Sequence, residues 1–88
     1  MGKGLLVARK PNLSRLGTLW KTVNRSLVIE CEKTPRIGSK IYDKSLREVG
    51  IVVNVFGPIS QPFAEIRVMN NLKYPIGEVF YIMERVKK

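Results

Sequence analysis

The residue types that most often perform acid–base and nucleophilic chemistry are scarce in this sequence. It has no histidine, which removes the commonest general acid or base and the usual Ser–His or Cys–His pair. The seven carboxylates each neighbour a basic residue or fall on an outward strand position or a turn, where solvated surface charges are the simpler interpretation: Glu30, Glu32, Asp43, Glu48, Glu65, Glu78 and Glu84. General acid–base catalysis by a carboxylate pair is not indicated. We therefore predict that the chain is not an enzyme and has no catalytic residues.

Metal and cofactor sites also lack their usual ligands. The single cysteine, Cys31, lies in an alternating apolar run, so the chain can form neither an internal disulfide nor a cysteine-based zinc site. The isolated glycines match no phosphate-cradling pattern and suit turns and barrel bends: Gly17, Gly38, Gly50, Gly57 and Gly77. We predict no metal, no cofactor and no small-molecule substrate, and a reducing, intracellular compartment.

The basic residues offer a different chemistry, the electrostatic binding of polyanions. Lys and Arg outnumber Asp and Glu by 16 to 7, and the formal net charge is +9. Residues 1–29 carry six of the cations and no acid. Such a field attracts RNA, DNA or an acidic protein face, although a basic surface also simply keeps a small domain soluble. The N-terminal part is the predicted polyanion-facing end, with candidate RNA contacts at Lys3, Arg9, Lys10 and Arg15.

The segment 49–63, VGIVVNVFGPISQPF, could bind a protein partner. Strict alternation along its first half places two sets of side chains on opposite faces, with Val49, Ile51, Val53 and Val55 inward and Val52, Asn54 and Phe56 outward. A domain of this size has no second layer to cover Val52 and Phe56. Exposed apolar patches of this kind usually mark protein interfaces.

A stiff loop follows this strand, because Gly57–Pro58 and Gln61–Pro62 restrict the backbone and reduce the entropy lost on docking. The alternative interpretation is that Phe56, Pro58 and Phe63 plug one end of a barrel. The residues alone do not separate these two roles. Trp20 shares its predicted face with Leu16, and we interpret it as a packing residue, since the other aromatic residues are scattered and offer no evident RNA-stacking platform.

Short strands separated by turn residues must position these groups. Runs rich in Val, Ile, Phe and Tyr predict six strands, at 16–23, 27–31, 40–43, 49–56, 63–69 and 79–83. The pattern predicts a tight hairpin turn at 24–26, a polar turn at 43–47, and a long loop at 70–77 with room for one helical turn. No internal repeat is visible in the sequence.

The fold class follows from the length and from these elements. A chain of 88 residues fits one domain, and six short strands with almost no helix bury one face best by closing into a barrel. We predict an all-β fold, a small six-stranded closed or partly closed barrel over residues 13–84, with a basic, mobile arm at 1–12 and a short basic tail at 85–88. No apolar run approaches the ~20 residues of a membrane span. We expect a cytosolic or nuclear protein.

Several collinear motifs resemble the Gar-type protein of box H/ACA ribonucleoproteins, in the short archaeal form that has the central domain without glycine-arginine-rich tails. The matching residues are Leu16-Gly17-Thr18, Pro35, Ile37-Gly38-Ser39-Lys40, Asp43-Lys44, Val49-Gly50-Ile51-Val52, Val55-Phe56-Gly57-Pro58-Ile59, Pro62-Phe63 and Ile76-Gly77-Glu78 before Tyr81. The segment from Leu16 to Tyr81 covers about three quarters of the chain. Each motif is weak alone, and the ordered set is specific.

The resemblance implies a barrel of the translation-factor (reductase/isomerase/elongation factor) type and a non-catalytic role in RNA pseudouridylation, rRNA processing and ribosome biogenesis. It implies docking on the catalytic domain of the pseudouridine synthase subunit, with assistance to substrate loading and product release. The candidate contact residues are Val55, Phe56, Gly57, Pro58, Ile59, Pro62 and Phe63. Guide RNA and substrate RNA would be contacted mostly indirectly, and the compartment would be the archaeal cytoplasm.

One rival interpretation comes from a different functional class. A ribosomal or translation-factor-like barrel that binds RNA directly would also be small, basic and rich in strands. Its distinguishing mark would be several aromatic residues and Arg on one barrel face.

Overall fold

The structure, a computed structural model, describes residues 12–84, which form six strands. These are β1 (Asn12–Val23), β2 (Ser26–Cys31), β3 (Lys40–Tyr42), β4 (Glu48–Phe56), β5 (Phe63–Val68) and β6 (Val79–Glu84). All six correspond to predicted strands, although β1 begins at Asn12, four residues before the predicted start. The loop after β5 contains no helical turn. Nowhere in residues 12–84 is there a helix that could cross a membrane.

The strands close into a barrel in the order β1-β2-β5-β4-β3-β6, and every neighbouring pair is antiparallel. This confirms the predicted all-β, six-stranded barrel and shows that it is closed, so no strand of it presents a free edge. The β1–β2 hairpin turns through only two residues, Asn24 and Arg25, and Asn24 adopts a left-handed conformation with φ 54°. Asparagine tolerates that conformation better than most residues.

Apolar side chains from all six strands fill the barrel interior. The buried cluster comprises Leu16, Leu19, Leu27, Ile29, Cys31, Ile41, Val49, Val52, Ala64, Ile66, Phe80 and Ile82. Full burial of a side chain such as Phe80 stabilises the fold by roughly 2–3 kcal/mol. Burial also raises the pKa of the Cys31 thiol to about 11, so this cysteine has little thiolate character at neutral pH.

Two irregularities in β4 change which of its side chains face the core. The register slips where β4 passes β3, beside Val49, and again where it passes β5, between Val52 and Asn54. Each slip is a bulge, which inserts one residue and reverses the alternation. The predicted outward position of Val52 and inward position of Ile51 are therefore wrong: Val52 is fully buried, and Ile51 lies outside the core cluster. Phe56 is exposed, as predicted.

The barrel contains an internal structural repeat that is not visible in the sequence. Strands β1, β2 and β3 occupy the same positions as β4, β5 and β6 after a two-fold rotation, which maps the strand order onto itself. Both bulges of β4 have counterparts in β1, 33 residues earlier, next to Gly17 and Leu19.

The turns that precede β3 and β6 repeat as well. Ile37–Tyr42 reads IGSKIY and Ile76–Tyr81 reads IGEVFY. The amide of Gly38 donates to the Val52 carbonyl at 2.7 Å, and the amide of Gly77 donates to the Leu19 carbonyl at 2.9 Å. With three identities in six residues, the similarity is too weak to stand out in the sequence.

Gly17 and Gly50 occupy equivalent positions, and at each of them a neighbouring strand approaches too closely for a side chain. A Cβ atom on Gly17 would overlap the Glu30 carbonyl oxygen, and one on Gly50 would overlap the Arg67 carbonyl oxygen. Only glycine allows the backbones to pass at this distance. The role in barrel bends predicted for these two glycines agrees with this geometry.

Asp43 is not a solvated surface charge, which corrects the prediction made for it. The residue is fully buried, and its Oδ1 accepts hydrogen bonds from the amides of Ser45 and Arg47, both at 2.9 Å. Its Oδ2 accepts from Arg47 Nε at 3.0 Å and from the Tyr74 hydroxyl at 2.9 Å. Burial alone would raise the pKa of this carboxyl, but these hydrogen bonds and the Arg47 charge outweigh it and lower the pKa. Asp43 therefore ties the β3–β4 turn to the loop before β6.

Candidate functional site

The loop between β4 and β5 projects from one end of the barrel and is held rigidly. The Gln61 amide donates to the Pro58 carbonyl at 3.0 Å, which closes a tight turn around Ile59. The Gln61 side chain donates to the Cys31 carbonyl at 3.0 Å, and the Cys31 amide donates to the Pro62 carbonyl at 2.9 Å. These bonds fix the loop to the end of β2. They leave the Ile59 side chain 95% exposed at the tip.

Three aromatic rings form a continuous row beside this loop. The rings of Phe56 and Phe63 are nearly parallel, with centroids 5.8 Å apart, and the tilted ring of Trp20 lies 5.1 Å from Phe63. The Lys21 ammonium nitrogen lies 4.7 Å from the centroid of the Trp20 ring, in a cation–π arrangement. The row spans β1, β4 and β5, and Trp20 and Phe56 remain 47% and 41% exposed.

The position of Trp20 differs from the sequence prediction for the same reason as that of Val52. The bulge at Leu16, where β1 slips against β6, reverses the alternation, so Leu16 and Leu19 are both buried and Trp20 faces outward. The sequence suggested that the aromatic residues are scattered. In the structure, Trp20 instead joins Phe56 and Phe63 in one row. Only the pairing of β1 with β6 reveals this bulge, and no local pattern around Trp20 could have shown it.

The residues predicted to contact a synthase divide into an exposed and a supporting group. Phe56, Gly57, Pro58 and Ile59 are exposed, and Phe63 is half-buried in the aromatic row. Val55 packs against the core, and Pro62 is buried beneath the loop. The side chains of Trp20, Phe56, Pro58, Ile59 and Phe63 thus form one apolar surface, which we call the docking surface.

The candidate RNA contacts of the N-terminal arm are described only in part. Lys3, Arg9 and Lys10 lie outside the described residues. Arg15 belongs to β1, where its Nε lies 2.6 Å from Glu32 Oε2 and both side chains are about half exposed. An exposed pair of this kind contributes little to stability, so it would give way to a phosphate at small cost.

The docking surface is apolar and suits contact with an apolar surface of a partner. It has no side chain that could act as an acid, a base, a nucleophile or a metal ligand. Its five side chains carry no ionisable group. The part of the chain that the structure describes holds no cluster of three or more His, Cys, Asp or Glu side chains able to bind a metal ion. Rigid, exposed aromatic and aliphatic side chains are the usual anchors of protein interfaces, and aromatic rings also stack on nucleic acid bases.

Comparison with known proteins identifies relatives of this barrel. Residues 13–88 match a family model described as the Gar1/Naf1 RNA binding region. A solved structure titled "Structure of the Gar1 domain of NAf1" is similar, with a TM-score of 0.73 and 23% sequence identity over 88% of this chain and 89% of that one. At 23% sequence identity, this structural similarity is evidence for the fold alone. No curated protein sequence matches.

Proposed function

This chain belongs to the family of the Gar1/Naf1 RNA binding region, and from that premise we propose that it is a non-catalytic subunit of a box H/ACA guide ribonucleoprotein. In this proposal it binds the catalytic domain of the pseudouridine synthase subunit through the docking surface. It would thereby assist substrate loading and product release during RNA pseudouridylation, including that of rRNA. The chemistry belongs to the synthase, and guide and substrate RNA are contacted mostly indirectly.

The observation that supports this role is the exposure of apolar side chains on a rigid loop. Ile59 is almost fully exposed on a backbone held by Gln61 and Cys31, so little conformational entropy is lost when a partner covers it. Burying exposed apolar groups without reorganising them favours binding. Phe56 and Phe63 extend the same surface along the barrel wall.

We expect Phe56→Ala and Ile59→Ala each to weaken synthase binding strongly while leaving the fold intact. Truncation of an interface anchor typically costs ~2 kcal/mol, which corresponds to about a thirtyfold loss of affinity. Pro58→Ala should act in the same direction by loosening the loop. Calorimetric titration of each variant against the purified synthase subunit, together with thermal melting, measures both effects.

Two control variants make this experiment decisive. Ile37→Ala removes an equally apolar, exposed isoleucine from a turn outside the docking surface and should bind as the parent does. Val52→Ala removes core volume and should lower the melting temperature but not the affinity of the folded protein. The proposal is wrong if Ile59→Ala and Ile37→Ala bind the synthase equally well, or if the docking variants melt far below the parent yet bind normally.

The aromatic row favours one second candidate function, direct binding of single-stranded RNA. Stacking of a base on an aromatic ring is worth about 1–3 kcal/mol, and Lys21 beside Trp20 supplies a cation for the phosphate. On this hypothesis RNA quenches Trp20 fluorescence, and Phe63→Ala weakens that RNA binding about tenfold, whereas Ile59→Ala has no effect because it removes no ring. Unchanged RNA affinity of Phe63→Ala would exclude the row as a stacking platform.

A further inference from the structure

We propose that a pocket at the end of the barrel opposite the docking loop binds a nucleotide of single-stranded RNA. The β1–β2 hairpin turn and the segment that follows β5 form the walls of this pocket, and they are joined where the Val68 amide donates to the Arg25 carbonyl at 3.0 Å. The cavity is half open to solvent and has a volume of about 410 Å³. That volume accommodates a base with its ribose and phosphate.

The lining of the pocket combines cations, amides and an apolar floor. Arg25 and Lys73 supply the charge, Asn24 and Asn71 the amides, and Leu27 and Val68 the apolar surface. None of the lining residues is acidic. Within residues 12–84, neither the Arg25 guanidinium nor the Lys73 ammonium makes an ion pair or a side-chain hydrogen bond. Both cations are therefore available to an anion from outside the chain.

The far wall of the pocket is held in place before any ligand arrives. Asn70 Oδ1 accepts from the Leu72 amide at 2.9 Å, and its Nδ2 donates to the Glu48 carbonyl at 3.2 Å and to the Tyr74 hydroxyl at 3.3 Å. Tyr74 donates in turn to the buried Asp43, and its ring meets Phe80 edge to face at 5.0 Å. Burial and the bond to Asp43 raise the pKa of the Tyr74 hydroxyl, so it stays protonated in this network.

The combination of groups points to a nucleotide and not to a simple anion. Two cations alone would suit any phosphate, but the apolar floor offers a surface for a base and the Asn side chains can pair with its edge. Single-stranded RNA presents unstacked bases and phosphates together, which a helical duplex does not. The ligand class inferred here is a single-stranded RNA segment that inserts one nucleotide into the pocket.

The pocket and the docking surface can be occupied at the same time. Phe63 and Val68 mark the two ends of β5, and a six-residue strand spans about 17 Å between its terminal residues. The inference goes beyond the proposed function, in which RNA is contacted mostly through the partner. A chain docked by its β4–β5 loop would present the pocket to RNA held by the same assembly.

The test is a titration of the full chain with an unstructured hexaribonucleotide containing A and U, followed by amide chemical shifts and by anisotropy of a labelled oligomer. We expect the largest shifts in residues 22–27 and 68–74. The Arg25→Ala/Lys73→Ala variant should bind at least about tenfold more weakly than the parent. A charge-matched control, Arg36→Ala/Lys40→Ala, removes two exposed cations elsewhere and should lose only about two- to threefold.

Two further measurements, one with another variant and one with another ligand, identify the ligand class. Asn71→Ala leaves the charge unchanged and should weaken binding about fivefold, because a pocket that reads a base edge depends on this amide. Nucleoside monophosphates, at equal nucleotide concentration, should bind at least about tenfold more weakly than the hexamer, because they lack neighbouring phosphates. Equal losses in the two double variants, or equal affinity for monophosphates and hexamer, would overturn the proposal. Unchanged synthase affinity in Arg25→Ala/Lys73→Ala would show that the docking surface works independently.

Discussion

Replacing Gly50 with alanine is expected to lower the melting temperature of the barrel by about 15 °C or more. The new Cβ atom would overlap the backbone carbonyl oxygen of Arg67 on β5, and a backbone atom in a closed barrel cannot move aside as a flexible side chain can. Overpacking of this kind costs about 3 kcal/mol or more, a large share of the stability of a domain this small. Differential scanning calorimetry measures the change.

The two-fold repeat provides a replicate and a control for this experiment. Gly17→Ala meets the Glu30 carbonyl oxygen in the same way and should destabilise the barrel to a similar degree. Gly38→Ala places its Cβ in open space and is disfavoured only by its φ of 95°, so it should cost about 1 kcal/mol. A Gly50→Ala protein that melts no lower than Gly38→Ala would mean that the strands can separate without loss.

Asp43→Ala is expected to destabilise the protein by about 3 kcal/mol, because it removes the acceptor of four hydrogen bonds in a buried position. The Tyr74 hydroxyl would lose its acceptor, and the β3–β4 turn would lose its connection to the loop before β6. Asp43→Asn keeps the size of the side chain and one oxygen. Its amide nitrogen would face the Arg47 and Tyr74 donors, so it should recover only part of the loss.

The acid dependence of stability separates the charge of Asp43 from its shape. Its folded-state pKa is lowered, so the carboxylate stabilises the fold above its unfolded-state pKa of about 4. That stabilisation is lost as the pH falls below about 4 through the lowered folded-state value. Urea unfolding between pH 2 and pH 6 should therefore show a shallower loss for Asp43→Asn than for the parent. Identical slopes for the two proteins would contradict a charged Asp43 in the native state.

The fold was predictable because the signals that specify it are local. Alternating apolar residues and turn residues such as Asn24 located all six strands, and closure followed from the lack of a second layer. The faces of β1 and β4 were not predictable in the same way. A bulge depends on which residue of a neighbouring strand pairs with it, so the inward position of Val52 and the outward positions of Ile51 and Trp20 could be found only from the strand pairing of the barrel.

The candidate sites also divide into features that local sequence signals reveal and features that depend on contacts between distant residues. The β4–β5 loop was visible in the sequence because its prolines, glycine and apolar residues are contiguous. The aromatic row was not, since Trp20 meets Phe63 only across β2. The burial of Asp43 likewise depends on Tyr74, 31 residues away, and the pocket on the meeting of Arg25 with Lys73. Contacts between residues so distant in sequence leave no periodicity to detect.

The two-fold repeat also governs how the chain can reach this structure. Each half supplies one hairpin, β1–β2 or β4–β5, and one strand that has no neighbour within its own half. Both neighbours of β3 belong to the second half, and both neighbours of β6 belong to the first. Neither half can therefore complete its sheet alone, and closure requires long-range pairings of the kind that make β-barrels fold in milliseconds to seconds. During synthesis β3 can pair with β4 as soon as β4 emerges, but the second edge of β3 and the free edge of β1 must wait until β6 has left the ribosome.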